Sequence, residues 1–306
     1  MKIKSINITF GYSCNNRCIH CIIGYGERKK SRDRSTEELK ICLREAKEKK
    51  AQQVILIGGE PTIRTDFFEI LEFARSLDIK LHLETNGRMF ASEEFTKKTL
   101  VMIPDLDVAM SFHHPNPKIQ DSITGVKDSF EQSVAGMKNM KKYGLKHLTV
   151  IPVITRFNYE SLSDLVKFLA NLSVDEIDFT LLRIGGNAEK NLNSLFVPIE
   201  EIQPHLFEAI ETGKRLGIDV KTYGFPFCMI KGYENHAYEL SFIKTFSENE
   251  TYVFNELNGE IDWQKERLAI KAKWKSCKNC KHFKRCEGIW KEYIQLNLLK
   301  PTVVYP

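Results

Sequence analysis

The sequence predicts an α/β fold, a partial (β/α)6 barrel of the TIM type that stays open, followed by a small C-terminal module. Three observations carry this. Short β-branched runs alternate with runs of helical period through about the first 185 residues. The most distinctive polar motifs all fall in loops that follow strands. The rhythm breaks after Gly185-Gly186. Strand–helix alternation implies a parallel sheet with right-handed crossovers. A closed barrel needs eight repeats, so about six leave it open.

Residues 5–12 alternate and carry β-formers, which predicts the first strand. A helix follows over 36–50, opened by Ser35 or Thr36 with Glu37 and Glu38 in its first turn. Gln53–Ile57 is a short apolar strand, Phe67–Leu77 a helix and Lys80–Glu84 a strand. Glu93–Met102 reads as a helix and Leu106–Phe112 as a strand. Phe130–Tyr143 is a helix ended by Gly144, and Leu148–Ile154 a strand. Leu162–Leu172 and Glu176–Leu182 complete the alternation as helix and strand. Beyond it, Pro198–Leu216 reads as a helix, Ile218–Thr222 as a strand, and Tyr252–Ile261, with Asn258-Gly259, as part of a hairpin. The expected domains are therefore 1–222, the barrel, and 223–306, the module.

The chain of 306 residues carries 45 Lys and Arg against 40 Asp and Glu, a formal charge of +5. The two signs interleave throughout, and the densest basic stretches, 28–34 and 271–284, read as solvated surface. That disfavours nucleic acid as a partner. No apolar run approaches the length of a membrane span or a signal peptide, so a cytoplasmic location without membrane contact is expected. Eight cysteines in a long chain of this kind read as metal ligands or catalytic thiols. Cys42 stands alone in a helical pattern and reads as a small core residue.

Cys14, Cys18 and Cys21 sit in the loop after the first strand, spaced C-x3-C-x2-C. Three thiolates on one loop can hold three irons of a 4Fe–4S cube and leave the fourth iron open to a chelating small molecule. A zinc loop is the alternative, although structural zinc ordinarily recruits a fourth protein ligand. Gly58-Gly59-Glu60-Pro61 follows the second strand and Glu84-Thr85-Asn86-Gly87 the third. Loops at the carboxyl ends of parallel strands build active sites, so the three motifs are expected on one face.

This constellation resembles the radical S-adenosylmethionine (radical SAM) superfamily. The resemblance implies that Cys14, Cys18 and Cys21 bind a 4Fe–4S cluster whose open iron chelates S-adenosylmethionine. It implies that His20 packs near adenine, and that Gly58, Gly59 and Glu60 contact the methionyl amino group, with Pro61 fixing the turn by its locked φ. Thr85, Asn86 and Ser111 are then contacts for ribose and carboxylate, with Asn158 a further candidate. The alternatives are a helix-capping carboxylate for Glu60 and a plain turn for Asn86-Gly87. The implied chemistry is reductive cleavage of the sulfonium to a 5′-deoxyadenosyl radical, which takes hydrogen from a substrate. A one-electron reductant such as ferredoxin or flavodoxin is then a partner.

The second group is Cys228 with Cys277, Cys280 and Cys286. Four thiolates can hold zinc or a fully ligated 4Fe–4S cluster, and spacing does not separate the two. The run C-x2-C-x5-C-x-G resembles the C-terminal SPASM and twitch modules of radical SAM enzymes. Where a full SPASM module is expected to place a further cysteine, four residues after Cys286, this chain has Trp290. The resemblance thus implies a twitch-like module with one auxiliary cluster.

Other polar residues follow strands: His113 and His114 the fourth, Arg156 the fifth and Arg183 the sixth. A histidine there is a candidate proton relay or a capping residue. Each arginine is a candidate clamp for a carboxylate or phosphate, or one half of a surface ion pair. Three function classes remain: hydrogen abstraction from a peptide, as a maturase; the same chemistry on a small metabolite or cofactor precursor; and a non-catalytic metal-binding protein. The intact three-cysteine loop and Glu60 argue against the last.

Overall fold

The computed structural model describes residues 2–247 and 249–299. Its elements run in this order: β1 (Lys2–Thr9), α1 (Tyr25–Lys30), α2 (Thr36–Glu48), β2 (Gln53–Ile57), α3 (Phe67–Ser76), β3 (Leu81–Thr85), α4 (Glu93–Met102), β4 (Asp107–Met110), α5 (Pro117–Thr124), α6 (Ser129–Lys142), β5 (Leu148–Val150), β6 (Val153–Ile154), α7 (Leu162–Ala170) and β7 (Glu176–Leu181). Then come α8 (Gly186–Lys190), α9 (Leu192–Leu195), α10 (Ile199–Leu216), β8 (Asp219–Tyr223), α11 (Glu239–Ser247), β9 (Glu250–Glu256), β10 (Gly259–Asp262), α12 (Trp263–Ala269), β11 (Lys271–Ala272), β12 (Ile289–Trp290) and α13 (Lys291–Gln295).

Strands β1, β2, β3, β4, β5 and β7 pair in parallel in that order, with helices in the crossovers, as the alternation predicts. The expected strand over 148–154 is interrupted at Ile151-Pro152 and continues as β6, also against β7. Proline donates no ladder hydrogen bond, which accounts for the break. Ser35 caps α2 in a reciprocal box with Glu38, as the start signal implies.

The hairpin β9–β10 does more than its local sequence reveals. Strand β9 lies parallel to β1, Lys2 to Ile8 against Glu250 to Asn255, and so extends the barrel sheet at its first edge. Strand β8 extends the other edge against β7. Side chains at the start of α11 stand between these edges. Tyr238 meets Tyr223 of β8, and Phe242 meets Tyr252 of β9 with ring centroids 5.3 Å apart. Residues after 223 thus contribute both to the sheet and to what stands beside its opening.

Side chains alternate sharply across the sheet. Ile6, Ile8, Val54, Leu56, Leu81 and Leu83 face the helices and are no more than 1% exposed. The opposite face carries Asn7, Thr9, His82, Glu84, Thr149, Asp178 and Lys221 by register. A barrel filled by branched aliphatic residues would be a packed core. This face mixes those polar groups with Ile55, Ile57 and Ala109, and Glu84 within it is exposed.

Candidate active site

The loop after β1 is held in shape from three sides. Asp33 Oδ1 accepts the backbone N–H groups of Tyr12 (2.9 Å) and Ser13 (3.1 Å). The N–H groups of Arg17 and Ile19 donate to the carbonyls of Thr124 and Ile123 at the end of α5. From α8, Asn187 donates its side-chain amide to Cys18 O (3.1 Å) and its backbone N–H to Cys21 O (2.8 Å). Gly186 allows that docking: its φ is +55°, and a Cβ there would stand 2.3 Å from the carbonyl oxygen of Ile22. The glycine pair that ends the sequence's strand–helix rhythm is therefore a seat for the cysteine loop.

The three thiols of that loop share one environment. Burial, followed by the neighbouring Cys14 and Cys21, pushes Cys18 up to about 12. Burial likewise raises Cys14. Arg28 brings a guanidinium to Cys21 Sγ at 3.0 Å. Three thiolates coexist there only with a cation among them to offset their repulsion. The three sulfurs do not all lie within 4.8 Å of one another; among the described residues, the group that meets that spacing is Asp121, Asp128 and Glu131. A zinc about 2.3 Å from each sulfur would require separations of about 3.8 Å.

The Gly58-Gly59-Glu60-Pro61 turn lies directly on this loop. Gly59 N–H donates to Gly11 O (2.8 Å) and Glu60 N–H to Ser13 O (2.8 Å). A Cβ on Gly59 would stand 2.2 Å from Ser13 O, so only glycine permits the approach. The carboxylate of Glu60, 2% exposed, accepts from Thr62 N–H (3.1 Å), Thr85 Oγ1 (2.7 Å) and Asn86 N–H (2.6 Å). Burial raises its pKa against these hydrogen bonds. Glu60 thus caps the short turn at Pro61 and not the helix that follows, whose N-cap is Asp66, and it also joins that turn to the end of β3. Asn86 completes the bridge by donating to Asn15 Oδ1 at 2.7 Å, with Cys14 Sγ at 3.9 Å. The expected convergence of the three motifs is present.

The remaining candidates divide. Ser111 ends β4 with an exposed side chain. His20 and His113 meet edge to face, centroids 4.5 Å apart, and His20 Nδ1 is buried without a partner. Burial holds His20 neutral, down at about 4, and His113 lower than its ordinary value. His113 Nδ1 accepts from Val153 N–H (3.2 Å), and His114 Nδ1 from Asn116 N–H (2.8 Å). Both rings therefore fasten backbone through Nδ1, which fixes the proton on Nε2. Asn158 gives both amide protons to carbonyls, His113 O (3.0 Å) and Val153 O (2.9 Å), so it has no donor left for a ligand. Arg156 is exposed. Arg183 lies 6.0 Å from the ring centre of Trp290.

The second cysteine set gathers by chain return. Cys228 lies in the turn Phe227–Met229, and Cys277 and Cys280 flank the end of the turn Lys275–Asn279. Burial and the charges of Cys286, Cys277 and Cys280 push Cys228 up to about 12, so the four are electrostatic neighbours. Here too no three sulfurs lie within 4.8 Å of one another. Beside them runs a buried ionic chain: Lys271 Nζ to Glu239 (2.7 Å) and to Glu287 (2.9 Å), with Arg267 on Glu287. Trp290 is 1% exposed and donates Nε1–H to Leu181 O (3.2 Å), anchoring this set to the end of β7. The sequence did not signal this anchor, because Trp290 reads there only as a missing cysteine. A cleft of about 590 Å³ between α2 and the β9–β10 hairpin, lined by Arg34, Cys42 and Asn255, contains neither cysteine set.

Comparison with known proteins agrees with this arrangement. A model described as the Radical SAM superfamily matches residues 8–169. The mycofactocin maturase MftC of Mycolicibacterium smegmatis is 29% identical over 197 residues, 64% of this chain and 49% of its own. A probable GTP 3',8-cyclase of Sulfurisphaera tokodaii is 29% identical over 208 residues, 67% of this chain and 64% of its own. Streptococcus suis SuiB bound to S-adenosylmethionine superposes with a TM-score of 0.66 at 16% identity, over 98% of this chain and 75% of that one. Native anSMEcpe with bound AdoMet and Cp18Cys peptide gives 0.65 at 15% identity, over 100% and 93%. These two share the fold. The chain spans about half the length of the mycofactocin maturases it matches.

Proposed function

The chain belongs to the radical SAM superfamily, and from that premise we propose that it is an enzyme of the maturase type, acting on a peptide. The observation that carries the reading is the junction of Cys14, Cys18 and Cys21 with the Gly58–Pro61 turn and Asn86. Cys14, Cys18 and Cys21 would hold a 4Fe–4S cluster, and S-adenosylmethionine would occupy the open iron. When bound, the pair supplies one-electron cleavage of the sulfonium and an adenosyl radical that abstracts hydrogen.

The protein's own residues set the stage for that chemistry. Gly58 and Gly59 would present backbone to the methionyl end, with Pro61 fixing the turn, and Glu60 holds Thr85 and Asn86 in position. His20, neutral and half-buried, offers a ring for adenine. Ser111 is the contact for ribose or carboxylate whose side chain the fold leaves exposed. Arg156 and Arg183, which follow strands of the barrel, would hold an anionic group of the substrate.

Cys228, Cys277, Cys280 and Cys286 would carry an auxiliary 4Fe–4S cluster, a reading that rests on the resemblance of the C-x2-C-x5-C-x-G run to twitch modules. Residues 1–222 then form the barrel and 223–306 the auxiliary module, with β9–β10 lent to the barrel sheet. Ferredoxin or flavodoxin would deliver the electron. The peptide reading draws on the maturase relatives and on the peptide-bound structure with which the fold is shared. The cyclase relative favours a second reading, the same chemistry on a small molecule.

Iron and 5′-deoxyadenosine are the test. Anaerobically reconstituted protein should bind on the order of eight irons, and with dithionite and S-adenosylmethionine should release 5′-deoxyadenosine. Replacing Cys14, Cys18 and Cys21 by Ala should remove about half of the iron and all of the product. Full cleavage by that triple variant would overturn the assignment.

A further inference from the structure

The barrel interior carries acids that the mechanism above does not use. By register, Glu84 of β3 stands in one row with Ala109 of β4, Thr149 of β5 and Glu176 of β7. Asp178 lies two residues further along β7 on the same face, opposite Lys221 of β8. Between the acids in this row stand Ala109 and Thr149, 4% and 6% exposed.

The partners available to these acids are few. Lys221 is committed to Glu176 and to Asp219 (3.3 Å). Asp178 is 8% exposed, and its Oδ1 is buried without a hydrogen-bond partner. Glu84 is exposed to the interior and enters no hydrogen bond or ion pair among the described residues. Tyr238 reaches in from the start of α11, and its phenol feels the charges of Asp178, Glu176 and Glu84. Withdrawal from bulk water inside the barrel raises Glu84 to about 7, and burial followed by the charge of Glu176 raises Asp178 to about 8. An apolar substrate would leave these carboxyls unpaired, which costs free energy.

We propose that the barrel interior is a recognition pocket for an alkylammonium group, the side-chain amine of a lysine-like residue in the substrate, held by Asp178 and Glu84 with Tyr238 as the hydrogen-bonding wall. The inference deepens the maturase reading and rests on it for the direction from which substrate enters. The ammonium gives Glu84 a cation it lacks and gives Asp178 one not already shared with Glu176 and Asp219, and its alkyl stem passes the ring of Tyr238. A charge-assisted hydrogen bond inside a low-dielectric chamber is stronger than one at the surface.

The test is calorimetric titration of the reconstituted full-length protein with three probes: acetyl-Gly-Lys-Gly-amide, acetyl-Gly-norleucine-Gly-amide and n-butylammonium chloride. The lysine peptide should bind at least about tenfold more tightly than the norleucine peptide. Butylammonium that competes with the lysine peptide shows that the amine is what is read; butylammonium that binds without competing overturns the pocket. Asp178→Asn and Glu84→Gln should each reduce the preference for lysine over norleucine by about tenfold. Equal binding of the two peptides by wild type, or no binding of the lysine peptide, overturns the proposal without recourse to any variant. Formation of 5′-deoxyadenosine, followed in the same preparation, separates the two claims: cleavage with no lysine preference sinks the pocket alone, and lysine preference with no cleavage sinks the enzyme reading alone.

Discussion

Single residues in this chain do positional work that their type alone does not announce. Glu60 is legible as a motif residue, but its partners, Thr62, Thr85 and Asn86, come from two different loops and appear only in three dimensions. Glu60→Ala should destabilise the fold by about 2–3 kcal/mol, because it leaves buried donors unpaired, and Glu60→Gln by less; urea midpoints measure the difference. His82 tests the polar interior by pH. Burial lowers its pKa to about 4, below the ordinary 6.5. The unfolded chain therefore takes up a proton first, and stability that is complete above pH 6.5 is lost as pH falls towards 4. Between pH 7 and pH 4.5 the loss from this residue is up to about 2–3 kcal/mol. His82→Gln should lose less stability than wild type over that interval. Parallel losses in the two proteins would show that His82 is not held neutral by burial.

At the scale of elements, the strand–helix order through residue 181 was legible because each strand turns an aliphatic face to the helices, as Ile6 and Ile8, Val54 and Leu56, Leu81 and Leu83 do. The pairing of β9 with β1 was not, since partners some 250 residues apart leave no mark in local periodicity. The same holds for α8, whose role is to seat the cysteine loop. That seat makes a prediction. Gly59→Ala and Gly186→Ala place a Cβ 2.2 Å and 2.3 Å from backbone carbonyls of the loop, so each should lower iron loading and the unfolding midpoint. Gly26→Ala, which meets nothing within 4 Å, should do neither. Iron assays and thermal melts of the three variants decide it, and unimpaired loading in Gly186→Ala would count against the seat.

The whole molecule joins two cysteine sets across one sheet. The first set was readable because its loop is local: three cysteines within eight residues, followed by motifs that strand order brings to the same face. The second was readable as a count of thiols and not as a place. What fixes it beside the barrel is Trp290 on Leu181 O and Tyr293 on Leu182 O, contacts between distant segments. The polar groups of the barrel interior were implied by alternation along each strand only once the register was known. The most direct test of the central claim, that S-adenosylmethionine binds iron held by Cys14, Cys18 and Cys21, is the electron paramagnetic resonance spectrum of the dithionite-reduced protein with and without S-adenosylmethionine. The signal should change on addition in wild type and in Cys277→Ala/Cys280→Ala, and should not change in the Cys14/Cys18/Cys21→Ala variant. A response that survives in the triple variant, or is abolished by loss of Cys277 and Cys280 alone, would contradict it.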